Sequence, residues 1–133
     1  MVGLMAVFAA ILSVCCGGKS PVSPSARARF VTVGDLDLLR CVGESCDQFT
    51  FLLRNVGDAC AWTTGFDGTV TLTKSSGVTS TANWRLDSRE YVDRLFQPGE
   101  TRRAVRYQGV LQNPPGPHTY SVNVNFLVPP TCE

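Results

Sequence analysis

The sequence predicts an all-β fold: a single antiparallel β-sandwich of about seven strands. Three observations predict it. From Phe30 onward the apolar residues recur with a period of two. Clusters of Gly, Pro, Asn and Ser punctuate the apolar runs, and no stretch carries a convincing helical period. Short strands separated by such turns bury one face each, and two packed antiparallel layers are the usual solution.

The elements follow in order. Phe30-Val31-Thr32-Val33 opens the domain, and Gln48 to Arg54 sets Phe49, Phe51 and Leu53 on one face. Thr69-Val70-Thr71-Leu72-Thr73 alternates threonines with aliphatics, and Tyr120 to Phe126 does the same over a longer run. A further strand is expected within Arg103 to Leu111, around Val105 and Tyr107. Turns are expected at Asn55 to Asp58, Asp67-Gly68, Ser75 to Gly77, Pro98-Gly99 and Asn113 to Pro117. Leu86 to Phe96 is the one weak candidate for a helix.

Ahead of the domain the chain reads differently. Met1 to Val14 is an unbroken apolar stretch without a charged side chain, and Gly17-Gly18-Lys19-Ser20-Pro21 ends it. It is shorter than the ~20 residues a spanning helix needs and fits the ~7–15 residues of a signal-peptide core. The usual positive flank is missing, so only the terminal amine supplies charge. Residues 1–15 are therefore expected to be a leader and 16–27 a Gly/Pro/Ser-rich tether, too polar to offset its ordering entropy. Residues 28–133 form the domain.

Leu12-Ser13-Val14-Cys15-Cys16-Gly17-Gly18 resembles a bacterial lipoprotein processing site, in which a cysteine receives diacylglycerol. Either Cys15 or Cys16 could be the acceptor: Val14 is large for the position before Cys15, and Ser13 replaces the usual aliphatic if Cys16 is used. The resemblance implies export and a lipid anchor; more than one acyl chain would hold the protein firmly. An ordinary cleaved signal is the alternative.

A second resemblance spans much of the domain. Phe51-Leu52-Leu53-Arg54-Asn55-Val56-Gly57, then Cys60-Ala61, then Leu95-Phe96-Gln97-Pro98-Gly99-Glu100-Thr101 are similar to turns of small immunoglobulin-like domains in bacterial surface and lipoprotein chains, such as the CARDB and FxLYD groups. In the "N-x-G" and "L-x-P-G-E" turns, Gly57 and Gly99 would serve a positive φ or a close approach, and Pro98 would preset the turn. The resemblance implies an immunoglobulin-like sandwich and an adhesive or adaptor role.

Cys41, Cys46, Cys60 and Cys132 form an even set, which in an exported domain implies disulfides. Four cysteines allow three pairings. Cys41 with Cys46 would close a tight hairpin, leaving Cys60 to tie down Cys132, with loop-entropy contributions of ~2 and ~4 kcal/mol. A zinc site lacks the close cysteine spacing and has only His118 to offer as an imidazole.

Chemistry is sparse. The formal net charge is +1 and the arginines are scattered, without the basic stripe of a nucleic-acid binder. The densest group, Arg102, Arg103 and Arg106, reads as a solvated strand face. His118 has no evident nucleophile or carboxylate beside it; Ser121 falls on the polar side of a strand. The carboxylates mostly occupy turn positions, and Asp35 and Asp37 are too few ligands for calcium. Trp62, Trp84 and Tyr91 are the aromatic candidates for contact with a ligand, the alternative being that the two tryptophans fill a small core. The expected function is therefore a non-enzymatic, lipid-anchored interaction or adaptor module of the cell envelope, without metal or cofactor. Its partners would be the membrane and another protein or a glycan, not nucleic acid. The alternative is a carbohydrate-binding or adhesion domain using exposed tryptophans.

Overall fold

The computed structural model describes residues 25–91, 93–112 and 116–132. The leader, Cys15, Cys16 and most of the tether lie outside the described residues, as does most of the Asn113–Pro117 loop.

Nine strands run through the described residues: β1 (Phe30–Val42), β2 (Ser45–Asn55), β3 (Ala61–Trp62), β4 (Asp67–Lys74), β5 (Thr79–Leu86), β6 (Leu95–Phe96), β7 (Thr101–Gln108), β8 (Leu111–Gln112) and β9 (His118–Asn125). All pairings are antiparallel. The main sheet has the order β1-β2-β7-β5-β4-β9, with β8 against the start of β2, and β3 pairs with β6 in a separate small sheet. The main sheet curls until its two edges meet, giving a sandwich-like arrangement. At that seam the Tyr120 hydroxyl of β9 donates to the Gly34 carbonyl of β1 at 2.8 Å, and Phe30 meets Phe126 edge-on at 5.0 Å.

The alternation read from the sequence is what the core uses. Phe49, Phe51 and Leu53 of β2, Val70 and Leu72 of β4, and Ala82, Trp84 and Leu86 of β5 all point inward and are buried. Phe30, Phe66, Phe96 and Phe126 pack edge-on or tilted beneath them. Such ring pairs add to what area burial alone supplies.

Three expectations are corrected. Asp67-Gly68 is not a turn but the start of β4. A Cβ on Gly68 would collide with the Asn123 carbonyl and crowd Trp84, so this glycine marks a close approach inside a strand. Leu86 to Phe96 carries no α-helix among its described residues. Asp87 caps a single 3-10 turn, Ser88–Tyr91, by accepting the Arg89 backbone N–H, and β6 follows. The third correction concerns the arginines of β7. Neighbouring residues on a strand face opposite ways, so Arg103 is exposed while Arg102 is buried. The Arg102 guanidinium pairs with Glu100 at 2.6 Å, donates to the Glu90 and Leu95 carbonyls, and lies 5.0 Å from the Phe96 ring.

The two turns that carried the family resemblance have distinct physical roles. Asn55 is fully buried and its side chain bonds four backbone groups on three segments. It donates to the Ala59 and Phe96 carbonyls at 2.8 and 3.3 Å and accepts from the Gly57 and Arg29 N–H groups at 3.0 and 3.3 Å. Gly57 has no positive φ. Any Cβ there would strike the Arg27 carbonyl, so the glycine admits the chain where it enters the domain. Gly99 does adopt a positive φ, 83°, and its N–H donates to the Asn55 carbonyl. Entry begins slightly before residue 28: the Arg27 N–H donates to the Asp58 carboxylate at 2.7 Å, and the Arg27 carbonyl accepts from the Asp58 N–H.

Both disulfides are present in the favoured pairing. Cys41–Cys46 joins directly opposed residues of β1 and β2 one step from the Gly43-Glu44 turn. Cys60–Cys132 closes a separation of 72 residues and fixes the segment that follows β9, helped by a hydrogen bond from the Gln97 amide to the Cys132 carbonyl.

Candidate interaction surface

The sequence-derived aromatic candidates part company in the structure. Trp84 is 0% exposed. Its indole N–H is shared between the Thr69 and Asn123 carbonyls, both at 3.2 Å, in the space that Gly68 leaves open. A buried indole needs such an acceptor, so Trp84 is a core residue that links three strands. Trp62 is 36% exposed on β3, and its backbone N–H donates to the Leu127 carbonyl, beside the exposed Leu127 and Val128. Tyr91 ends the 3-10 turn half-buried and lines a shallow cleft with Gly65, Phe66, Asp67, Arg85 and Tyr107. There the Arg85 guanidinium lies 4.9 Å from the Tyr107 ring, and Asp67 accepts from the Asn125 amide at 3.1 Å.

The groups that could host chemistry are dispersed. His118 is exposed at the start of β9, and Ser121 faces outward on the same strand. Among the described residues no three His, Cys, Asp or Glu side chains gather where a metal could be held. The four described cysteines are consumed in disulfides. Asp87 is buried, and its carboxyl is lowered to about 2 chiefly by the side-chain and backbone hydrogen bonds from Arg89. Burial raises the Tyr120 phenol above its ordinary value. Asp87 caps a turn and Tyr120 closes a seam, so structural duties account for both perturbed groups.

One surface stands apart, and sequence reading overlooked it. The outer face of β1, β2 and β7 alternates aliphatics with arginines. Along the entering chain Arg27, Arg29, Val31 and Val33 are all exposed, while Ala26, Ala28, Phe30 and Thr32 turn inward. Beside them lie Val56, Arg54 and Leu52: Val31 pairs with Arg54 and Val33 with Leu52, and Leu52 pairs in turn with Arg103. Val31, Val33, Leu52 and Val56 are each about two-fifths exposed. Among the described residues Arg27, Arg29, Arg54 and Arg103 take no part in an ion pair. Asp58 is the carboxylate nearest the entry, and Asp35 and Asp37 share a hollow with Arg103 at the far side. The signal was present in the period-two run from Arg27 to Val33, but assigning residues up to 27 to a tether cut it in half.

Comparison with known proteins returned nothing to set beside this chain: no family model, no curated protein and no solved structure matches it.

Proposed function

We propose that the chain is an exported, lipid-anchored interaction module of the cell envelope, related in design to small immunoglobulin-like domains and without catalysis of its own. The observation that carries this reading is the mixed aliphatic and arginine face of β1, β2 and β7. Apolar side chains left in water beside guanidinium groups that form no ion pair among the described residues are the composition of a contact surface, with the apolar part supplying area and arginine the directional bonds. Both disulfides support export, since such bonds persist outside a reducing cytosol. The Cys15-Cys16 junction supports the anchor.

Intact mass spectrometry of the native membrane fraction tests the reading. The expected species begins at Cys15 or Cys16, carries acyl chains and has no free thiol among Cys41, Cys46, Cys60 and Cys132. Full-length chain in the cytosol, with every cysteine open to alkylation, would overturn it.

A further inference from the structure

We propose that the arginine and aliphatic face at the tether end rests against an anionic bilayer, so that the module lies on the membrane to which it is attached. The partner follows from three observations. First, the face is basic where the chain enters. Arg27, Arg29 and Arg54 lie there against a single carboxylate, Asp58, which accepts the Arg27 backbone N–H and leaves the entry net positive. Secondly, Val31, Val33, Leu52 and Val56 are interleaved with these arginines, which suits a surface that meets lipid headgroups and the first carbons beneath them. Thirdly, the reach is short. From Cys15 or Cys16 to Ser25 the chain spans at most about 35 Å when fully extended, and less in any relaxed state. A face that begins two residues beyond Ser25 can therefore reach the headgroups and lie within the single Debye length over which their negative potential acts.

The inference rests on the anchored reading for its geometry, but its chemistry can be tested without acylation. The probe is the oxidised full chain carrying Cys15→Ser and Cys16→Ser, sedimented with phosphatidylcholine vesicles with or without a third of phosphatidylglycerol. The apolar leader contributes to binding at both compositions, so the ratio between them reads the face. Each net positive charge near an anionic surface is worth about fivefold, and three arginines set against Asp58 give a preference for the anionic vesicles of about 25-fold. Arg29→Ser combined with Arg54→Ser should reduce that preference by about 25-fold, and high salt should abolish it. Both side chains are exposed, so an unchanged melting curve is expected and confirms that the variant is folded. As a control, Arg85→Ser on β5 should leave the preference intact.

Equal binding to the two vesicle types, or a preference that survives the double substitution, would overturn the proposal. So would capture by an acidic polypeptide such as polyglutamate without any response to phosphatidylglycerol, which would point instead to an acidic protein partner. Failure of acylation would appear in the mass of the native protein and leave this vesicle ratio untouched, so the two readings fail separately.

Discussion

The two ends of the sandwich are held by different means. At the end where the chain enters, Asn55 knits three segments, Arg102 reaches two carbonyls and a carboxylate, and Cys60–Cys132 ties the segment after β9 to the loop after β2. At the opposite end, β1 and β2 run on to the Gly43-Glu44 turn. Cys41–Cys46 and the short β8 pairing support them, while Leu39 and Val42 are left 61% and 83% exposed. One end is a polar network buried in the fold; the other is a local clip on a hairpin. Constraint is concentrated where chain segments far apart in sequence converge. That is where loop closure removes the most freedom from the unfolded state.

The contrast can be broken by removing each device in turn. Replacing both Cys60 and Cys132 by serine should lower stability the most, by about 4 kcal/mol on the loop-entropy model, and the Cys41 and Cys46 double serine variant by about 2 kcal/mol. Urea unfolding of the two variants checks this, and equal losses would erase the distinction between the ends. Asn55→Ala should fall between them, at about 3 kcal/mol, because it strands buried N–H and carbonyl groups that cost ~1–3 kcal/mol each. A loss below about 1 kcal/mol, the scale of one ordinary net hydrogen bond, would show that Asn55 is not the hub its contacts describe.

The smallest effect concerns Asp87, near the entry end. Its carboxyl is depressed from 3.8 to about 2 in the folded protein, chiefly through Arg89. A depressed folded value means that the ionised form contributes stability above the unfolded value. That contribution is lost as pH falls from about 4 through 2. Because Arg89 is mostly exposed, water screens the pair and the effect is modest. Asp87→Asn keeps a capping side chain and should flatten the loss of stability over that window. An acid limb identical to that of the unaltered protein would assign it to other carboxylates.

Much of this was legible in the residues. The runs around Phe49 to Leu53, Thr69 to Thr73 and Tyr120 to Val124 alternate cleanly, because one face is buried and the other wet. The cysteine pairing was legible because five residues suffice for a hairpin clip. The rest of β1 was hidden because Gly34, Asp35 and Asp37 dilute its apolar pattern, and its pairing to β2 shifts register there. Gly68 resembled half of a turn because a dipeptide does not reveal that an indole from β5 needs the space above it. Arg102 resembled its neighbours because burial of a guanidinium depends on carbonyls supplied by Glu90 and Leu95, distant along the backbone path. The candidate surface was missed for a related reason. A solvated face is read by subtraction, and only the fold shows which exposed residues are neighbours.

The long pairing of β1 with β2 has a mechanical consequence. A tug on the segment before Ser25, resisted by anything gripping the Gly43-Glu44 tip, runs along β1 rather than across it. The load then passes through the backbone of β1 itself, and the ladder from Phe30 opposite Asn55 to Val42 opposite Ser45 is spared. The same pull first meets the Arg27 clasp on Asp58, which lies next to the loop that holds Cys60.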